Sequence, residues 1–173
     1  VSAKDYERWQ TIARKADAFN WGADFVGCCC AYRKAAFLQT CGYVPLPVAY
    51  GMEEVDLALR LHALGWKILH ARLLRVFHDT DLSHHHSTKI TSNSLANLAL
   101  LAFLRYPVWL WPIGAGQVIN RVIWLLRNGR RNGVLSGLLS IPRHCWRHRG
   151  YRATVSGSAL RSYLALRRNP IPV

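Results

Sequence analysis

The sequence predicts a mixed α/β domain that is followed by amphipathic helices. In the first half, short apolar runs with the length of strands are separated by helical patterns, in the order strand, helix, helix, strand, strand. In the second half the chain becomes almost continuously apolar, and its only charged residues are Lys and Arg. With 173 residues, of which 51% are hydrophobic, the chain is long enough to bury a core.

The charges are distributed unequally along the chain. All nine acidic residues lie at or before Asp81, whereas thirteen of the 23 Lys and Arg residues follow it. A basic segment without acids favours an anionic partner, which is a lipid surface, a phosphorylated substrate or a nucleic acid. We therefore expect two regions, residues 1–86 with the acidic groups and residues 87–173 as a basic helical tail.

Cysteine usage and the first residues bear on the cellular compartment. The chain has five cysteines, and three of them are adjacent at Cys28, Cys29 and Cys30. This spacing does not indicate a disulfide framework, and we expect the three to be small buried hydrophobic side chains in a reducing compartment. The opening residues are charged and contain no apolar signal segment. These observations predict a location in the cytoplasm.

The first half contains several short elements. Apolar residues at helical spacing predict an amphipathic helix over residues 4–19. The run DFVGCCCAY at 24–32 has the length of a buried strand, and Gly27 within it indicates the close approach of another backbone or a ligand. KAAFLQTCG then predicts a helix of two turns that ends at Gly42, and YVPLPVAYG predicts a loop.

The clearest helix covers residues 53–64. Its leucines recur at i, i+4 and i+7, Glu53 and Glu54 lie in its first turn, where the helix dipole favours anions, and Gly65 ends it. WKILHA and LLRVFH follow as two predicted strands. The histidine-rich loop after them could ligate zinc, but no Cys pair or helical His spacing defines a tetrahedral site, so a polar loop is favoured.

The basic half predicts helices that lie in a membrane interface. Its longest uncharged runs, residues 90–104 and 106–120, are shorter than the ~20 residues that span a bilayer. One predicted helix places apolar residues on one face and polar residues on the other, and tryptophans and arginines accompany it, as in interfacial helices. The apolar face consists of Val118, Val122, Leu125 and Leu126, and the tryptophans are Trp109, Trp111 and Trp124.

The basic half has two other interpretations, a nucleic-acid-binding segment and an ordinary helical bundle. Nucleic-acid binding would need aromatic residues interleaved with cations on a sheet, or a recognition helix with polar side chains, and neither pattern is present. We therefore expect no nucleic-acid partner. An ordinary helical bundle with a solvated, arginine-rich face remains the open alternative to membrane contact.

The acidic cluster Glu53-Glu54-x-Asp56 is the first candidate for chemistry. In one interpretation it is a solvated first helical turn in which Asp56 pairs with Arg60 at i, i+4. In the other, a carboxylate at the junction of a loop and a helix acts as a general base, because it is ionised and directed outward from the helix end. The sequence neighbourhood favours the second interpretation.

That neighbourhood shows an ordered series of residues at plausible spacing. They are Gly27, Arg33, Phe37, Gly42, Tyr43, Glu53, Glu54, Asp56, Leu57, Arg60, Gly65, Trp66, Phe77 and His78. In this series the stretch from Phe25 to His78 resembles the second half of the catalytic domain of family 2 glycosyltransferases, which have the GT-A fold, and especially their bacterial rhamnosyltransferase-like members. The expected fold is thus the C-terminal half of a GT-A domain followed by membrane-interface helices.

The resemblance implies an inverting transfer of a sugar from a nucleotide-diphosphate sugar to an acceptor hydroxyl. It places Glu54 where the family usually has an Asp base, with Glu53 orienting the acceptor or the loop of the base. Asp56, the third residue of the catalytic set, would support the helix end with Arg60. The implied substrate-binding residues are Gly27, Arg33, Arg60 and His78, and His78 is also the implied metal contact.

The resemblance also implies cofactors and partners. A divalent metal, Mg or Mn, would be held mainly by the donor-binding half of such an enzyme, which would precede Val1, so the chain is expected to be a fragment that is inactive alone. The acceptor would be a lipid-linked or glycan precursor of the cell envelope, at an anionic membrane surface on the cytoplasmic face. The alternative is a non-catalytic basic membrane-binding or scaffold module derived from such an enzyme.

Overall fold

The computed structural model describes residues 19–71, 76–77 and 87–172. It is a mixed α/β structure in which helices dominate. The strands are β1 (Phe19–Gly22), β2 (Ile68–Ala71) and β3 (Ile171–Pro172). The α-helices are α1 (Lys34–Gln39), α2 (Glu53–Ala63), α3 (Thr88–Arg105), α4 (Trp111–Arg127), α5 (Val134–Arg147) and α6 (Gly157–Arg168), and short 3₁₀ helices span Gly27–Cys29, Val108–Leu110 and Arg149–Tyr151.

The three strands form a small antiparallel sheet in the order β2-β1-β3. Trp21 of β1 is opposite Leu69 of β2 on one side and Ile171 of β3 on the other. The sheet therefore joins segments that are far apart in the sequence. In the register, β1 pairs with β2 over four residues and with β3 over two.

The predicted strand over residues 24–32 is wrong. The strand in this region is β1, which ends at Gly22, and the run continues as irregular backbone into the 3₁₀ helix Gly27–Cys29. Cys28, Cys29 and Cys30 are exposed, so the expectation that they are buried hydrophobic side chains is also wrong. A short apolar run does not by itself define a strand, because strand formation requires a partner, and here the partner β2 pairs with residues 19–22.

The elements around the acidic cluster agree with those that the sequence predicts. Helix α1 is followed by a left-handed turn, with a φ of 75° at Gly42, and α2 is followed by Gly65 with a φ of 84°. The run WKILHA contains β2, as predicted. In LLRVFH, residues 76–77 are exposed and lie outside regular structure, and the rest of that predicted strand lies outside the described residues, as does the predicted helix over 4–19.

The helical half packs around α3. This helix buries leucines along most of its length, because α4 and α5 both lie against it. Glycines at the start of α5 permit its close approach. A Cβ at Gly133, directly before α5, would lie 2.4 Å from the carbonyl oxygen of Thr88, and a Cβ at Gly137 would lie 2.8 Å from that of Ser92. Among the helices of residues 19–71 and 87–172, none is both long and apolar enough to cross a membrane.

The apolar face that the sequence predicts for α4 is mainly a packing face. Val118 and Leu125 are buried, and Val122 packs beside Leu125 in a core cluster with α3 and α5. Leu126, the fourth predicted residue, is 44% exposed. Three of the four members of the predicted face are therefore buried or partly buried, and Val122 and Leu125 pack in a cluster with α3 and α5. The outward face of α4 consists of Leu126 and other residues.

The core crosses the expected boundary at residue 86. One apolar cluster joins Ala58 and Leu59 of α2 with Tyr106, which follows α3, and with Leu160 of α6. A second joins Met52 with leucines of α3. Helices of the basic half therefore pack against α2, which carries the acidic cluster.

Two glycines of α4 provide a matched test of the packing between α3 and α4. A Cβ on Gly114 would lie 2.3 Å from the Cβ of Ala102 in α3, whereas no described atom lies within 4 Å of the corresponding position on Gly116. We expect Gly114→Ala to lower the free energy of unfolding by about 1 to 3 kcal/mol through overpacking. Gly116→Ala should raise it by about 0.5 to 1 kcal/mol, because alanine favours the helix. Urea denaturation of both variants measures the difference, and equal effects would contradict the close α3–α4 packing.

Candidate active site

The acidic cluster forms the first turn of α2, as the sequence predicts. No side chain caps the helix at Met52, but the carboxylate of Glu53 accepts a hydrogen bond from the backbone N–H of Met52 at 3.1 Å. This contact uses one of the N–H groups at the helix start that lack a partner within the helix. Glu53 is therefore turned back toward the chain that enters α2.

Glu54 lies against the loop that contains Gly27. The backbone N–H of Gly27 donates a hydrogen bond to the Glu54 carboxylate, and a Cβ at Gly27 would lie only 2.5 Å from its Oε1. A group does lie close to Gly27, but it is the side chain of Glu54 and not the backbone or ligand that the sequence predicts. Any larger residue at this position would displace the carboxylate.

The pKa of the Glu54 carboxyl is raised above its ordinary value. Partial burial is the main cause, because it disfavours the charged form, and the negative charge of Glu53 adds to it. Hydrogen bonds from the backbone N–H groups of Glu54 and Gly27 act in the opposite direction and stabilise the carboxylate. Glu54 is thus a half-buried carboxylate whose affinity for a proton is increased.

Asp56 occupies a different environment, because its side chain is buried between two guanidinium groups. Arg60 donates to its Oδ2 at 2.6 Å, which confirms the predicted i, i+4 ion pair. Arg105 of α3 donates to Oδ1 at 2.5 Å, and its guanidinium also donates to the carbonyl oxygens of Tyr151 and Ala153. Both oxygens of Asp56 are engaged, so this residue anchors the start of α2 to the basic half.

Arg60 is oriented toward the protein interior as well. Its guanidinium donates to the carbonyl oxygen of Gly42 at 2.7 Å and to that of Thr40. Burial lowers the pKa of Arg60, and the charge of Asp56 opposes this effect. Its contacts close the turn after α1 onto α2, which agrees with the predicted support of the helix end more than with direct substrate binding.

A cavity of about 630 Å³ opens beside the Gly27 loop. Most of its lining side chains are apolar, and its basic lining residues are Arg33, Lys67 and His70. Cys29 and Cys30, two and three residues after Gly27, form part of the cavity wall. Glu54 does not line this cavity; the Gly27 loop is the link between the carboxylate and the cavity wall.

A group of aromatic side chains lies beside the acidic turn. The hydroxyls of Tyr32 and Tyr43 are 2.6 Å apart, and the ring of Phe37 contacts both tyrosine rings. Burial raises the pKa of both tyrosines, and the charges of Glu54 and Glu53 also raise that of Tyr43. The tyrosines are therefore neutral hydrogen-bonding groups at neutral pH.

The structure brings together part of the predicted site. Glu54 meets Gly27, Asp56 meets Arg60, and Arg33 lines the neighbouring cavity. His78, the predicted phosphate and metal contact, lies outside the described residues.

Sequence reasoning missed two features of this region. The first is Arg105, the second partner of Asp56, because 49 residues separate the two in the chain. The second is the set of basic residues Lys67 and His70 beside Arg33 on the cavity. Nothing in the run WKILHA distinguishes Lys67 and His70, because all six of its residues line the cavity.

The described residues do not fit the divalent metal that the resemblance implies. Within residues 19–71, 76–77 and 87–172, no three His, Cys, Asp or Glu side chains are grouped so that they could hold a metal ion. Asp56 is saturated by arginines, and Glu53 and Glu54 contact backbone N–H groups. We therefore derive no chemical step through a metal in this chain.

Comparisons with known proteins give no relative for this chain. No family model, curated protein or solved structure matches it.

Proposed function

We propose that this chain is the acceptor-side part of an inverting glycosyltransferase of family 2, with the GT-A fold. It would act with a nucleotide-diphosphate sugar and a lipid-linked or glycan acceptor in cell-envelope glycan synthesis. The observation that carries the proposal is the environment of Glu54. Its carboxylate is half-buried at the start of α2, and its pKa is raised. It lies against Gly27, in a loop beside a cavity that has basic residues in its lining. A carboxylate whose pKa is moved toward neutral pH is suited to act as a general base.

In the proposed reaction, Glu54 takes the proton of an acceptor hydroxyl. The acceptor oxygen forms a bond to the anomeric carbon of the sugar, and the bond from that carbon to the diphosphate breaks, so that the nucleoside diphosphate leaves. Arg33, which lines the cavity, would attract anionic phosphate groups. Glu53 would hold the loop before α2, and Asp56 with Arg60 would hold α2 itself. The metal would be held mainly by the donor-binding half of the enzyme.

The contact between Gly27 and Glu54 supplies a first test. Gly27→Ala places a methyl group 2.5 Å from the carboxylate oxygen, and the flexible end of Glu54 can move away. We therefore expect little change in the free energy of unfolding but about a 10- to 100-fold lower rate of transfer, because misplacement of a catalytic group by about 1 Å is sufficient for such a loss. Transfer of radiolabelled sugar to extractable lipid by the complete protein measures the rate.

Gly150→Ala is the matched control. No described atom lies within 4 Å of the Cβ position of Gly150, so this substitution should leave both stability and transfer unchanged. If Gly27→Ala transfers sugar at the rate of Gly150→Ala, the position of Glu54 does not matter and the proposal is wrong. If the complete protein transfers no sugar but still binds membranes, the non-catalytic membrane-binding module takes its place.

A further inference from the structure

Helix α5 presents a line of large apolar side chains to solvent. Leu135, Leu139 and Trp146 are 70%, 72% and 68% exposed. With Pro142 they recur at i, i+4, i+7 and i+11, which places them on one helix face. The opposite face of α5, which includes Val134, packs in the core. We call these four residues the outer stripe.

The outward side of α4 has the same character. Ile119, Ile123 and Leu126 are 58%, 41% and 44% exposed. These residues are spaced by four and three positions, so they share one face of α4, away from the buried Val118 and Leu125. Large exposed apolar areas in a folded protein indicate an interaction site.

Arginines border the outer stripe. Arg143 and Arg147 of α5 are exposed beside the outer stripe. The guanidinium of Arg149 lies 4.1 Å from the centre of the Trp146 ring. Exposed tryptophans beside arginines are typical of helices that lie at the level of lipid headgroups.

The charge of this region indicates which partner binds to the outer stripe. No Asp or Glu follows Asp81 in the sequence, so the region around the outer stripe attracts anions without opposition from its own acids. A second copy of the chain is a poor occupant, because a symmetric contact would bring the same arginines of both copies together. An anionic lipid surface satisfies both requirements, since its acyl boundary accepts the apolar residues and its phosphates accept the arginines.

We propose that the outer stripe docks this protein on an anionic lipid surface. Leu135, Leu139 and Trp146 enter the boundary between headgroups and acyl chains, while Arg143 and Arg147 contact lipid phosphates. The surface differs from the predicted apolar face of α4, since Val122 and Leu125 of that face pack in a core cluster with α3 and α5. It is independent of the sugar-transfer reaction, since it contains none of the residues assigned to that reaction.

Binding of the intact chain to phosphatidylcholine vesicles with and without phosphatidylglycerol tests the proposal. Leu139→Glu places a charge in the outer stripe and should lower the partition coefficient on anionic vesicles about tenfold or more. Leu38→Glu is the matched control, because Leu38 is 62% exposed on α1, outside the proposed surface. Its partition coefficient should stay within about twofold of that of the unmodified chain. Both residues are exposed, so both variants should keep the thermal stability of the unmodified chain.

Two further measurements separate insertion from general attraction. Arg143→Gln and Arg147→Gln should each lower binding to anionic vesicles about fivefold, and Arg168→Gln on α6 should have a smaller effect. Brominated lipids should quench the fluorescence of the intact chain more strongly than that of Trp146→Phe, because Trp146 lies at the acyl boundary.

The proposal is overturned if Leu139→Glu and Leu38→Glu bind equally well to anionic vesicles. It is also overturned if brominated lipids quench the intact chain and Trp146→Phe to the same extent, or if high salt abolishes all binding. Each of these results would mean that cations attract lipid without apolar insertion. Loss of vesicle binding with normal transfer would refute this surface alone, whereas normal vesicle binding with no transfer would refute the proposed enzyme alone.

Discussion

Replacement of Glu54 by Gln in the complete protein is expected to lower the rate of sugar transfer about 10²- to 10⁴-fold, the usual effect of losing a general base. The amide keeps the size of the side chain but does not accept the acceptor proton. The affinity for the nucleotide-sugar should change little, because the base acts on the acceptor hydroxyl. Single-turnover transfer and equilibrium binding of the donor measure the two effects separately. A rate within threefold of the unmodified enzyme would remove Glu54 from the mechanism.

The pH dependence of transfer gives a second readout of Glu54. Burial and the charge of Glu53 raise the pKa of Glu54, so its ionised form is lost at a higher pH than for an ordinary Glu. The acid limb of kcat/KM should therefore lie above pH 4.5, and activity should fall as the pH decreases through it.

Glu53→Gln is the informative companion variant. Removing the charge of Glu53 takes away one cause of the raised pKa, so the acid limb should move to lower pH while transfer continues. An unmoved acid limb would show that Glu53 does not influence the base. Loss of transfer equal to that of Glu54→Gln would instead make both carboxylates catalytic.

Replacement of Asp56 by Asn is expected to lower the free energy of unfolding by about 3 to 5 kcal/mol, because it leaves a buried charge without its partner. Asp56 is 1% exposed and Arg105 is 2% exposed, so water cannot replace the lost carboxylate. The neutral amide would still contact Arg60 and Arg105, but their positive charges would no longer be compensated. Urea denaturation followed by circular dichroism measures the loss.

The same substitution at Asp24 is the matched control. Asp24 pairs with Arg167 at 3.5 Å, and both side chains are partly exposed. Asp24→Asn should therefore change the free energy of unfolding by less than about 1 kcal/mol. Arg105→Gln combined with Asp56→Asn should cause less than the sum of the two single losses, since the double variant no longer buries the charge of Arg105. Equal stability of Asp56→Asn and Asp24→Asn would contradict the role of Asp56 as an anchor.

Local sequence patterns are sufficient to define the elements around the acidic turn. The leucine spacing and the first-turn carboxylates define α2, and Gly42 and Gly65 supply the left-handed residues that follow α1 and α2. The i, i+4 pair of Asp56 and Arg60 follows from the geometry of one helix. These features depend on neighbours within a few residues, so periodicity and residue type are sufficient to predict them.

Tertiary packing determines which residues from distant parts of the chain are in contact. It selected residues 19–22 as the strand that pairs with β2, and left Cys28 and its neighbours in an exposed 3₁₀ helix. It also brought Arg105 to Asp56 and turned Val118 of α4 inward. A strand partner, a buried counter-ion and the side of an amphipathic helix that faces the core all depend on segments distant in sequence. Composition predicted an apolar, basic half, but only the packing of α4 and α5 on α3 determined which apolar residues remain exposed.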